Sequence, residues 1–292
     1  AAFCTAELGD DVLFRRGTLA DDGTLAWDGD DQVAFAMPPD ENAMYPKIAV
    51  DAHGVPFIAF MLYRGGFNTA PYDAVVTKAV DDSGTFAVAP GFPVTLVAHN
   101  TTVYPDPLPV ALADGRVLLL YNRDVADDTY YGRMYDGAAF DDEERVTTSH
   151  ANDALYNAVA DGNDVHLAFA SGDTIRYHKR DGRSGRWSDE EDVASGWQMS
   201  GHVGITLVQH GEVAVTWLDH GPEQVRVRVR DERGWGDAQV LADGDGEPLT
   251  DDKNKINLNA LVDGDADVRT AVAFTTGSAA PFTVRFAAMP AR

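Results

Sequence analysis

Cysteine is nearly missing from this sequence of 292 residues: Cys4 stands alone, so no disulfide can form within the chain. It lies in an apolar run with no histidine or cation close by, which reads as a buried, inert thiol rather than a nucleophile. Lysine is scarce as well, found only at Lys47, Lys78, Lys179, Lys253 and Lys255. Against 23 basic residues stand 47 acidic ones, for a formal charge of −24. Such a surface repels phosphate backbones and anionic lipid, which argues against nucleic acid as a partner. Salt would screen the self-repulsion, so the composition predicts a protein suited to high ionic strength, as in a halophilic source. No run approaches the roughly 18 apolar residues of a membrane-spanning helix, and membrane insertion is not expected. A sustained helical period, a Gly-x-Ser-x-Gly elbow and a His-x-x-x-His pair are all lacking.

What is present is a repeat. Short strands ending at a glycine turn occur as PKIAVDAHG, LPVALADG, YNAVADG, VGITLVQHG and NLNALVDG, with turn glycines at Gly54, Gly115, Gly162, Gly211 and Gly264. A second apolar strand follows each at once (VPFIAFMLY, RVLLLYN, DVHLAFA, EVAVTWL, DVRTAVAF), and the opening AAFCTAEL reads as one more copy of it. A third, alternating strand comes next, in VLFRRGT, YDAVVTKA, YYGRMYD, TIRYHKR, VRVRVRD and FTVRFAAM. Turns rich in Asp and Gly then deliver Trp27, Phe86, Phe140, Trp187 or Trp235 to the start of an outer fourth strand, where an aromatic would pack between neighbouring sheets. A period of about 40 to 50 residues with this content predicts an all-β, six-bladed β-propeller of four-stranded antiparallel blades, a single domain over 1–292. Its blades fall at approximately 1–37, 45–97, 104–148, 155–195, 202–242 and 257–290. The first blade lacks its first strand and the last lacks its fourth, which predicts that the natural chain extends upstream of residue 1.

With the repeats aligned, YPKIAVDAHGVPFIAF, VVTKAVDDSGTF and FPVTL, together with YYGRMYDGAAF and AVADGNDVHLAF, resemble the sialidase-like BNR-repeat propellers over essentially the whole chain. The resemblance implies the propeller and not the activity. True sialidases carry Ser-x-Asp-x-Gly-x-Thr-Trp turns and an arginine triad opened by Arg-Ile-Pro. Here the turns are eroded, Arg-Ile-Pro is missing, and no catalytic residue is carried over.

In such a fold the loops after each second strand and the connections between blades share one face, and function concentrates in loops held by a rigid scaffold. That face is predicted to bring together Arg64, Tyr104, Arg123, Asp124, Tyr156, Trp197, His202 and Asp219. Aromatic rings with planar polar groups suit a sugar: the rings cover its apolar face and the polar groups bind its hydroxyls. The expected function is a binding or interaction module, extracellular or on a cell or virion surface, recognising a glycan or glycoprotein. One alternative is a divergent sialidase-like glycoside hydrolase or other carbohydrate-active enzyme. In that case Asp124 and Asp219 would serve as the two carboxylates and Arg123 would bind an anionic sugar. A second alternative is a structural subunit whose faces pack against other subunits of a surface assembly. Tyr45-Pro46 and Tyr104-Pro105 recur at one place in the repeat, which favours a structural role for them. No cofactor is expected. The acidic stretch ADGDGEPLTDD offers Asp243, Asp245 and Glu247 as weak oxygen ligands for Ca²⁺, without EF-hand spacing.

Overall fold

The computed structural model describes residues 2–3, 11–20, 24–64, 70–101, 104–123, 129–149, 155–196, 203–208, 211–246, 248–249, 259–261, 268–277 and 283–290. All regular structure among them is β, apart from one 3₁₀ residue, and the chain forms two compact units, Ala1–Thr148 and Ser149–Arg292.

The first unit opens with β1 (Ala2–Phe3), β2 (Val12–Phe14), β3 (Gly17–Leu19), β4 (Leu25–Trp27) and β5 (Gln32–Phe35). β1, β2 and β5 form a three-stranded sheet, while β3 and β4 continue the β2–β5 hairpin as a two-stranded ribbon. Sheet 2 follows in simple meander order with β6 (Glu41–Val50), β7 (Pro56–Arg64), β8 (Tyr72–Lys78) and β9 (Val94–Asn100). Sheet 3 has the same order: β10 (Leu108–Ala111), β11 (Val117–Asn122), β12 (Tyr130–Tyr135) and β13 (Glu144–Arg145). Each second strand is apolar on both faces, so it is buried from both sides; Phe57, Ile58, Ala59 and Phe60 in β7 are wholly enclosed. The odd set joins Val76, Val117, Leu119 and Tyr135 between sheets 2 and 3, and the even set joins Val12, Phe14, Ala34 and Phe86 between sheets 1 and 2.

The second unit repeats the plan. Sheet 4 is β14 (Tyr156–Asp161), β15 (Asp164–Ser171), β16 (Thr174–Arg180) and β17 (Glu191–Ser195). Sheet 5 is β18 (Gly204–Leu207), β19 (Val213–Asp219) and β20 (Gln224–Asp231), with β21 (Gly234–Trp235) and β22 (Gln239–Asp243) both paired to β20. Sheet 6 is β23 (Asn259–Leu261), β24 (Val268–Thr276) and β25 (Thr283–Pro290). β25 is its edge strand, and Phe286 there is 71% exposed beside exposed Val284.

The turn glycines are needed for their backbone. Gly54 and Gly115 have φ of 82° and 88°, in the left-handed region that other residues enter at a cost. A Cβ on Gly115 would also stand 3.0 Å from His53 Nε2. Asp51 closes the first of these turns by accepting from the backbone N–H groups of His53 and Val55.

Two expectations need correction. The turn aromatics do not begin the outer strand. Phe140 and Trp187 form isolated bridges back to the third strand, Trp235 pairs with Arg230 in the short β21, and the outer strand proper starts only after a further stretch of chain. They also divide by environment. Phe86 packs on Phe14 at 5.3 Å, Phe140 on Phe92, and Trp235 edge-on to Tyr177 at 5.3 Å, each bridging two sheets. Trp187 instead stacks on His178 of its own sheet, and Trp27 is 45% exposed beneath Arg15, because the β3–β4 ribbon leaves the body of its sheet.

Candidate functional site: a polar mouth between sheets 2 and 3

The register of sheet 2 lines up Asn42, Tyr63, Tyr72 and Asn100, one from each strand, in a single row across the sheet. Directly opposed residues in antiparallel strands share a face, so the four side chains stand side by side. Two irregularities put them there. Tyr45, at φ 53°, forms a bulge with Pro46 inside β6, so this strand begins at Glu41 and Tyr45 is part of it rather than of the preceding connection. His99, at φ 56°, makes the matching bulge in β9, where the Asp73 carboxylate accepts from the His99 backbone N–H at 2.6 Å.

Around the row lie Met44, Met61, Tyr45 and Tyr104, with the half-buried Tyr104 ring tilted on Tyr72 at 5.0 Å. Asn42 is 1% exposed and its Oδ1 has no hydrogen-bond partner. An enclosed acceptor left unpaired costs about 1–3 kcal/mol, so this carbonyl is an open demand for a donor. Below it, Lys47 Nζ reaches the carboxylate of Asp106 at 2.5 Å; Asp106 is 1% exposed, and the pair joins β6 to the segment entering β10.

Sheet 3 supplies the other side. Arg123 follows β11 directly, its backbone carbonyl accepts from Asn100 Nδ2 at 2.6 Å, and its guanidinium lies over the Tyr131 ring at 4.4 Å. One nitrogen, Nη1, donates to Glu143 Oε1, while the buried Tyr121 hydroxyl donates to Glu143 Oε2 at 2.8 Å. Burial first, and then the Glu143 carboxylate, push the Tyr121 phenol well above its ordinary pKa, so it stays protonated and remains a donor. Arg123 is still 44% exposed.

Of the residues expected on one face, Tyr104 and Arg123 therefore meet at this mouth. Arg64 ends β7 opposite Glu41, next to the row. Asp124 lies outside the described residues, as do Trp197 and His202. Tyr156 and Asp219 belong to the second unit. Tyr156 is buried at the start of β14. Asp219 ends β19 and pairs with Arg226 Nε at 3.0 Å. Among the weak cation ligands, Asp245 has a cation of its own: Arg285 hydrogen-bonds its carboxylate and, as the largest cause, lowers its pKa. Asp243 accepts from the Asp245 backbone N–H, and Glu247 is outside the described residues. No group of three or more metal-ligating side chains occurs among the described residues. The sequence reading missed Asn42, Lys47, Asp106 and Glu143.

No family model matches the sequence, and no curated protein matches it. Solved structures do. A protein of unknown function from Dyadobacter fermentans superposes with a TM-score of 0.57 at 13% identity, over 86% of this chain and 80% of that one. A Hadza microbial sialidase, Hz136, matches with a TM-score of 0.55 at 13% identity over 97% of this chain, which spans 60% of the sialidase's length. The α-L-arabinofuranosidase Arb93A of Fusarium graminearum matches with a TM-score of 0.51 at 12% identity, covering 85% of this chain and 93% of that one. The fold is thus the all-β, sialidase-like β-propeller. Besides the β3–β4 ribbon, the described residues form six sheets of three to five strands, three-stranded in the first and last.

Proposed function

We propose that this chain is a carbohydrate-binding module acting outside the cell or on a cell or virion surface, and that its first unit carries a glycan site at the mouth between sheets 2 and 3. The observation that carries the reading is the half-buried Tyr104 ring and the exposed Arg123 guanidinium beside the buried row Asn42–Tyr63–Tyr72–Asn100. Rings beside planar amides and a guanidinium are the groups that bind a pyranose, whose faces are apolar and whose rim is hydroxyl. Two of the structural neighbours are named as a sialidase and an arabinofuranosidase, which supports carbohydrate as the ligand class. Binding is favoured over hydrolysis because both oxygens of Glu143, the carboxylate beside Arg123, are engaged by Arg123 and Tyr121. Those two names also support the second reading, a glycoside hydrolase with a divergent site.

A glycan array at low and high salt tests the proposal. Parent protein should retain a defined set of glycans, Tyr104→Ala and Arg123→Ala should each lose most of that signal, and aryl glycosides should remain uncleaved. Turnover of an aryl glycoside would move the assignment to the hydrolase. A blank array together with self-association in light scattering would move it to an assembly subunit.

A further inference from the structure

Resting on that reading, we infer that the mouth between sheets 2 and 3 takes an uncharged sugar and discriminates against acidic ones, whether sialylated, uronate-bearing or sulfated. Apart from Arg64, whose side chain is not described, two cations stand there, and each already has a carboxylate. Arg123 gives Nη1 to Glu143, and Lys47 gives Nζ to Asp106. An incoming carboxylate or sulfate would have to compete with Glu143 for Arg123. Lys47 is less available still, since its ammonium lies against the enclosed Asp106 carboxylate. The acidic excess of the whole chain adds long-range repulsion of any anion.

Hydrogen-bond chemistry points the same way. The open acceptor Asn42 Oδ1 needs a donor, and a carboxylate or sulfate has none to give. A sugar hydroxyl donates and accepts at once, so it can serve Asn42 while taking a hydrogen bond from the exposed Arg123 guanidinium. The half-buried Tyr104 ring adds aromatic surface for the C–H face of a neutral sugar, whose desolvation costs far less than that of an anion.

Matched pairs of glycans that differ only in an added terminal sialic acid or uronate test this by titration calorimetry, with parent, Glu143→Gln and Asn42→Ala proteins. The parent should bind the neutral member at least tenfold more tightly than its acidic partner. Glu143→Gln keeps a side chain for the Tyr121 hydroxyl but releases Arg123, and should narrow or reverse that ratio. Asn42→Ala should weaken the neutral member. A parent that prefers the acidic member, with affinity falling as salt rises, overturns the inference while leaving carbohydrate binding intact. Equal affinity for both members overturns it too. If neither member of any pair binds, the carbohydrate reading falls and this inference with it.

Discussion

Lys47 and Asp106 form the contact in the mouth most sensitive to truncation. Removing the ammonium leaves a carboxylate enclosed without its cation, and breaking a buried pair from one side costs about 3–5 kcal/mol. Lys47→Ala should therefore lower the unfolding free energy measured by urea titration by an amount in that range, and the double variant Lys47→Met with Asp106→Leu should recover much of it. Arg123→Ala is the contrast. The residue is exposed, Tyr121 still holds Glu143, and a surface pair with one cation–π contact is worth about 1 kcal/mol, so its melt should move little while glycan binding falls. Single residues were the least legible part of the sequence. Arg123 and Tyr104 stood out by type and by position in the repeat. Asn42 did not, because the Tyr45 bulge puts an extra residue into β6 and hides four strand residues that look like connection. Glu143 was hidden for a different reason: only the pairing of β12 with β13 brings it across to Tyr121.

At the scale of the element, the second and third strands bear histidine and charge without losing their packing. In sheet 4, His166 is buried with Nδ1 2.6 Å from the Tyr177 hydroxyl, and burial, reinforced by Lys179, drops its pKa to about 4. Its ordinary value is 6.5, so the unfolded chain takes up a proton as pH falls through 6.5 and the folded chain does not until about 4. Stability is thus full above pH 6.5 and lost between 6.5 and 4, by about 3 kcal/mol in all if no other group changes. Urea unfolding at pH 7, 5.5 and 4.5 should show this fall, and His166→Asn should flatten it. Next to this pair Glu191 accepts both Arg230 nitrogens, at 3.0 and 2.8 Å, and the Trp235 indole N–H at 2.9 Å, tying sheet 4 to sheet 5. The strands and the glycine turns were legible because burial writes period-2 and doubly apolar runs directly into sequence. The split of each outer strand from its aromatic bridge was not, since Phe140 and Phe86 sit in turns of the same composition whichever way the chain runs on.

For the molecule as a whole, charge decides how it meets its solvent. With a net charge of −24, lowering ionic strength exposes every carboxylate to its neighbours, and the thermal midpoint should rise steadily across a KCl series from 0.05 to 2 M as the Debye length shrinks from over 10 Å to about 3 Å or less. A flat or falling midpoint would remove the case for salt adaptation. The same charge has a second task at the edge of sheet 6. Among the described residues no strand pairs with the outer side of β25, where Phe286 is uncovered, and such an edge is a template on which another strand can be laid. At low salt mutual repulsion holds two such edges apart; salt that firms the fold also removes this barrier. Solubility and stability of this chain should accordingly run in opposite directions with ionic strength, light scattering climbing as the melt climbs, and Phe286→Lys should uncouple them by silencing the first without touching the second.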